Sequence, residues 1–116
     1  MLSGINRLKK RQDVLFVLEK GTQTRGRFFR LKASRTTRIA PPRIAVIVSA
    51  KEAKKAVTRN SIKRRTREVV KKCMPALFGY DLLIFPSKNI QDADFFDLVK
   101  ELTYHANTLK NRNKSY

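Results

Sequence analysis

Two short apolar runs flanking a long amphipathic helix constrain this chain more than any other feature. Arg43 to Ser49, RIAVIVS, is nearly unbroken in its hydrophobicity, and Asp81 to Phe85, DLLIF, is a second such run stopped by Pro86. Runs of this length rich in branched residues read as strands, the first as one buried on both faces. Between them, about Ala53 to Met74 reads as a helix ending near Pro75 and Gly79. Two apolar strands joined through a helix predict a parallel pair. At 100° per residue, Ile62, Thr66, Val69, Val70, Cys73 and Leu77 fall on one side of that helix. Asn60, Arg64, Arg67 and Lys71 gather within about 60° on the opposite side. One face is built to pack and the other presents cations about a turn apart.

The remaining elements follow from local signals. Lys10 to Lys20 reads as a short helix with Gly21 as its C-cap, although Val14, Leu15, Val17 and Leu18 are contiguous rather than cleanly periodic. Arg27 to Ser34 reads as a strand, with Phe29 and Leu31 alternating with Arg30 and Lys32, and Phe28 marking an end or a bulge. A further short strand fits between Gly21 and Gly26. Arg35 to Pro42 is a basic loop whose two prolines bar a central strand on either side. The strands before and after that loop are expected to pair antiparallel. Asp92 is expected to N-cap a last helix carrying Phe95, Leu98, Val99, Leu102, Ala106 and Leu109 at helical spacing. Lys110 to Tyr116 reads as a frayed tail. The order α-β-β-(β)-α-β-α predicts one α+β sandwich domain over residues 1–116 with a mixed sheet and a core of about 7–109.

Charge then narrows the partner. The 116 residues carry a formal net charge of +18, and residues 1–72 hold 22 of the 27 cations but 4 of the 9 anions. Lys51 to Lys72 alone holds ten cations against Glu52 and Glu68. Solvated faces usually mix signs, so this asymmetry points to a polyanionic partner. No stretch approaches the roughly 20 apolar residues of a membrane span. No apolar segment of a secretory signal follows the N-terminal cations. The single cysteine, Cys73, cannot form an internal disulfide and fits a reducing, cytoplasmic setting as a packed thiol on the apolar side of its helix.

Catalytic chemistry is sparse. His105 is the only histidine, it lies beside the last helix's apolar set, and no orienting carboxylate is expected beside it. Asp92, Asp94 and Asp97 suit a helix N-terminus better than a metal site. Gly4, Gly21, Gly26 and Gly79 are too scattered to cradle a phosphate. What remains is binding chemistry. Arg7, Lys9, Lys10 and Arg11 open the first helix. Arg27, Phe28, Phe29, Arg30 and Lys32 interleave cations with aromatics, which fits either a single-strand platform or a core Phe29 flanked by solvated arginines.

These residues resemble the protein subunit of bacterial ribonuclease P. RLKKRQD (Arg7 to Asp13) followed by Gly21 is similar to that family's opening helix, and RIAVIVSAK (Arg43 to Lys51) to its central strand. AVTRNSIKRRTRE (Ala56 to Glu68) is similar to its signature helix, and Asp81 with the strand and helix after it continues the likeness. The resemblance implies a sandwich similar to the second domain of ribosomal protein S5, with a left-handed βαβ crossover where the general rule gives a right-handed one. It also implies a subunit that binds ribonuclease P RNA and the 5′ leader of precursor tRNA while the RNA, with its own Mg2+, performs the cleavage. No cofactor is expected on the protein itself, and neither a membrane nor an obligate protein partner.

Carried over by position, Arg59, Asn60, Lys63, Arg64 and Arg67 match the RNA-binding signature, with Lys71 on the same stripe. Arg7, Lys9, Lys10 and Lys51 match other positions of RNA contact. Arg27 and Phe29 match the leader cleft. There Val14, Leu18 and Lys32 stand where aromatics are usual. Ser61 replaces an arginine of the signature, Ser87 a frequent arginine and Ala45 a common glycine. Two other readings compete. A basic structural ribosomal protein explains the charge but not the signature pattern. A DNA-binding module would use residues 56–72 for recognition, but an apolar strand stands where a helix-turn-helix partner is needed.

Overall fold

The strand most uniformly apolar takes the centre of the sheet. The computed structural model describes residues 7, 8, 10–36 and 42–113. It contains α1 (Arg11–Lys20), β1 (Thr22–Arg25), β2 (Phe29–Arg35), β3 (Arg43–Val46), α2 (Ala56–Cys73), β4 (Tyr80–Pro86) and α3 (Phe95–Asn113). Single 3-10 turns lie at Met74–Leu77 and Lys88–Gln91. The sheet order is β1-β2-β4-β3. β4, whose residues are buried on both faces apart from a half-buried Phe85, pairs antiparallel with β2 and parallel with β3. The parallel pair joined through α2 and the extra strand β1 are therefore as expected.

Several expectations give way to tertiary context. β2 and β3 are not neighbours, because β4 lies between them and gains two apolar flanks that no two-strand hairpin supplies. β3 ends at Val46, four residues into the apolar run, and is an edge strand with only Ile44 fully buried. Its outer side is partly covered, since Arg7 bridges Ile44 and the Leu8 amide donates to the Ile44 carbonyl at 3.0 Å. Blunting of an exposed edge in this way is common. Arg7 thus belongs to the sheet edge and not to the first helix. Asp92 does not cap α3; it closes the preceding 3-10 turn, while Asp94 accepts from the Phe96 amide at 3.2 Å. The last helix runs to Asn113, four residues into the segment expected to fray.

Alternation in the strands assigns the faces. Phe29, Leu31 and Ala33 of β2, Ile44 of β3 and Leu82 and Ile84 of β4 pack against α2 and α3 in the main core. Ile62, Val69, Val70, Cys73 and Leu77, the apolar side read from helical spacing, are all buried there. Each such side chain contributes roughly 1.5–3 kcal/mol of transfer free energy. Thr66 joins them with its hydroxyl donating to the Ile62 carbonyl at 2.8 Å. Burial raises the Cys73 thiol above its ordinary pKa. On the other face, Val14, Val17 and Leu18 of α1 pack on Leu83 and Ala45. Gly21 ends α1 by donating to the Val17 carbonyl at 2.8 Å. Its role is close approach, since a Cβ there would lie 2.4 Å from that oxygen.

An ion-pair cluster orients α1. Arg43 on β3 donates to both carboxylate oxygens of Asp81 on β4, at 3.0 and 2.7 Å, and reaches Asp13 of α1 at 3.3 Å. The Asp81 hydrogen bond leads in holding the Arg43 guanidinium above its ordinary pKa. Lys32 on β2 closes the other end by donating to the Leu18 carbonyl at 2.9 Å, one of the last carbonyls of α1, which lack an intrahelical partner.

Candidate nucleic-acid interface

The outer side of α2 is one surface of the site. Asn60 and Arg64 are exposed and Arg67 half-buried opposite the apolar side, with Lys63, also half-buried, at the edge between the two faces. Among the described residues, the side chains of these four make no internal hydrogen bond or ion pair, whereas Lys71 pairs with Glu68 at 3.7 Å. An exposed pair of that length holds Lys71 only weakly. The N-terminal turn of α2 has no acidic residue and no side-chain cap, so its orphan amides and positive dipole end are uncompensated. Two cations of this helix serve the fold instead. Arg59 donates to the carbonyls of Ala53 and Lys54 at 2.9 and 2.8 Å. Arg65 donates to those of Ile90 and Ala93 at 3.0 and 2.6 Å and lies over the Phe95 ring. Of the signature positions, therefore, Arg59 has a structural commitment that sequence did not reveal.

The second surface is a cleft of about 360 Å³ on the α1 face of the sheet, beyond the end of α1. Register builds its floor. Arg25 pairs with Arg30 and Arg30 with Phe85, so these three side chains form one row across β1, β2 and β4. Ile47 extends the row through its amide bond to the Ile84 carbonyl at 2.9 Å. Gly26, Arg27, Phe28, Phe29, Ser49, Glu52, Pro86 and Ser87 complete the lining, and the Arg30 guanidinium lies over the Phe85 ring 4.0 Å from its centroid. The loop carrying Ser49, Lys51 and Glu52 leads from this cleft to the start of α2, with Lys51 exposed on it.

The leader-cleft residues expected from sequence meet different fates. Arg27 lines the cleft. The Phe29 ring does not serve it as a stacking surface, because it is 1% exposed and belongs to the main core. Its even register forces that, since Leu31 and Ala33 on the same strand face the same way. Val14 and Leu18 hold α1 to the sheet and Lys32 caps α1, so none of the three lines the cleft. Phe16, 55% exposed on α1, lines no part of it either. Arg25 and Phe85 were missed, whereas Arg30 stood among the cations interleaved with aromatics on its strand. The signal for Arg30 was its alternation with Phe29 and Leu31, but Phe85 could be placed beside it only once β2 and β4 were known to be partners. Lys10 is exposed just before α1, and Lys9 lies outside the described residues.

One carboxylate, also missed, positions the cleft's outer turn. Glu101 on α3 accepts from the Phe28 amide at 3.0 and 3.1 Å and from the Phe29 amide at 2.8 Å. His105, 1% exposed, meets the same carboxylate at 3.1 Å through Nε2. So His105 does have a carboxylate partner, one helical turn away, contrary to expectation. Gly26 lies directly above them, and a Cβ there would fall 2.7 Å from Glu101 and 2.8 Å from His105, so these side chains would have to shift to admit it. This group is a structural clamp in the geometry seen, tying α3 to the β1–β2 turn that carries Arg25 and Arg27. Among the described residues no three His, Cys, Asp or Glu side chains are grouped as a metal site would need, and no helix is long and apolar enough to cross a membrane.

A small α+β domain with a partner-free cationic stripe on one helix and an arginine-floored cleft on the other side of its sheet is, in class, a polyanion-binding protein. Comparison with known proteins makes the assignment specific. The family model described as Ribonuclease P matches residues 2–110, and the chain belongs to that family. A ribonuclease P protein component of Cyanothece sp. is 31% identical over 118 residues, covering 88% of this chain and 90% of its own. A mutant Staphylococcus aureus RNase P protein with defective mRNA degradation activity superposes with a TM-score of 0.76 at 25% identity, over 91% of this chain and 89% of its own. The RNase P protein from Thermotoga maritima shares the fold, with a TM-score of 0.74 at 24% identity over 86% of this chain and 94% of its own.

Proposed function

We propose that this chain is the protein component of a ribonuclease P whose RNA performs the cleavage, and that it binds both that RNA and the 5′ leader of precursor tRNA. The observation that carries this reading is the division of α2. Its apolar side is wholly consumed by the core, while Asn60, Arg64 and Arg67 on the other side and Lys63 at its edge have no internal partners among the described residues. Guanidinium groups in such a file match phosphate oxygens bidentately, and an asparagine can donate to and accept from a sugar or base edge. The uncapped N-terminus of α2 adds backbone donors for the same anion. The described residues bring no general acid–base pair into either surface. Cleavage and its Mg2+ ions are therefore assigned to the RNA, and the protein's part is to neutralise phosphates and hold the leader in the sheet cleft.

Reconstitution tests this directly. The protein mixed with a bacterial ribonuclease P RNA and precursor tRNA at low magnesium should yield a mature 5′ end faster than the RNA alone. A nuclease-free preparation of the protein alone should yield none, and metal-dependent cleavage at that junction by the protein alone would sink the reading.

The two sides of α2 should also separate by mutation. Arg64→Ala or Arg67→Ala should leave the fold intact and weaken binding to the ribonuclease P RNA by about 1–3 kcal/mol, the scale of charge-assisted hydrogen bonds. Val70→Asp should instead unfold the domain, since it buries an unpaired carboxylate at a position 0% exposed. Filter binding beside circular dichroism distinguishes the outcomes. Folded arginine variants that bind normally would remove α2 as the docking surface.

A further inference from the structure

The row Arg25–Arg30–Phe85 breaks a local rule of sheet construction. Like charges directly opposite one another on adjacent strands repel, yet Arg25 and Arg30 are cross-strand partners on the same face. Neither guanidinium meets an acid among the described residues; the one carboxylate in the cleft lining, Glu52, accepts from the Lys88 amide at 3.1 Å. Violations of this kind concentrate where a ligand supplies the missing partner. Arg30 is in addition placed over Phe85, at 4.0 Å from the ring centroid and half-buried at the cleft floor. A guanidinium held over a ring is a flat, preorganised surface whose outer face accepts a second planar group.

Resting on the leader-cleft reading above, we propose that Arg30 stacked on Phe85 is a base platform that seats one nucleotide of the single strand, with Arg25 and Arg27 taking its phosphates. The platform stands in for the aromatic side chains absent at Val14, Leu18 and Lys32, and for Phe29, whose ring is in the core. Charge and plane come from the same residue, which fits a single-stranded polyanion better than a free phosphate or an acidic peptide, since neither of those offers a base to stack. Because every base has a flat face, such a platform discriminates the presence of a base and not its identity. The hydroxyls of Ser49 and Ser87 at the cleft wall are engaged within the protein, Ser49 accepting from the Glu52 amide and Ser87 donating to Asn89 Oδ1, so neither is placed to select a base.

An abasic scan of the leader tests the idea. The reconstituted holoenzyme is given precursor tRNAs with leaders of one and six nucleotides, and then six-nucleotide leaders carrying a single abasic residue at each position in turn. With the wild-type protein, one position should lose about 5- to 160-fold in affinity when its base is removed, the range for one stacked base, whichever base stood there. Arg30→Lys keeps the charge but not the plane, and Phe85→Leu keeps the apolar bulk but not the ring. In both variants that abasic penalty should shrink to within about 2-fold, as coupling between contacting groups requires. Binding to the ribonuclease P RNA and the salt slope of the Arg30→Lys variant should be unchanged. An abasic scan that is flat in the wild type, or a penalty that persists in both variants, overturns the platform while leaving leader binding in place. Equal affinity for one- and six-nucleotide leaders overturns the leader reading itself, and the platform with it.

Discussion

Raising monovalent salt from about 50 to 200 mM should weaken binding of this protein to its RNA by roughly 10²- to 10⁴-fold. The estimate assumes five to eight phosphate contacts and a slope of log K against log salt of roughly −3 to −7, using about 0.7 to 0.9 released counterions per contact. The cations placed to make them are Lys51, Lys63, Arg64, Arg67 and Lys71 along α2 and its approach, with Lys10 and Arg11 at the start of α1. Arg43, Arg59 and Arg65 are left out, because internal acids or carbonyls already hold them. A titration series across salt concentrations measures the slope. A value near zero would mean that the stripe is a solvated face and that the net charge of +18 has no bearing on RNA.

The other large effect is expected far from either surface. Glu101→Leu should destabilise the domain by about 3–5 kcal/mol, read as a fall in the urea midpoint at unchanged slope. The substitution leaves the amides of Phe28 and Phe29 without an acceptor in a part-buried site and strips His105 Nε2 of its partner. A buried donor left unsatisfied costs roughly 1–3 kcal/mol, and here two amides and an imidazole are involved. Glu101→Gln should cost less, since its amide oxygen still accepts from one of the two backbone donors. A midpoint unchanged in the leucine variant would show that solvent replaces the carboxylate and that α3 does not anchor the β1–β2 turn. A clamp role also predicts that Gly26→Ala is destabilising, as its Cβ has no space above the same carboxylate.

The division of α2 was legible from residue order alone, because helical periodicity is a local property. Six positions from Ile62 to Leu77 recur at core spacing, and all six are buried. The short strand after Gly21 and the packed Cys73 thiol were legible for the same reason, as each depends on neighbours close in the chain, and the parallel pairing of the two apolar runs followed from the helix that joins them. The RNA-binding signature at Arg59 to Arg67 is a local pattern as well, and it identified the family before any fold was known.

Strand order was beyond such reading. β4 is drawn between β2 and β3 because it can bury both faces, and that competition among strands has no trace in any one segment. The roles of the arginines were likewise decided at long range. Arg43 meets Asp81 38 positions away and Arg65 meets the Ile90 carbonyl 25 positions away, while Arg64, directly beside Arg65 in sequence, keeps no internal partner among the described residues. The Phe29 ring turned inward with Leu31 and Ala33, and the row of Arg25, Arg30 and Phe85 took its place in the cleft. Glu101 reached back 73 positions to the Phe28 amide. Sequence by itself determined which residues are cationic, which are apolar and which repeat at the period of a helix. Only the tertiary structure decided which cations are already satisfied and which are left for RNA, because a charge is free or paired according to what the fold brings beside it.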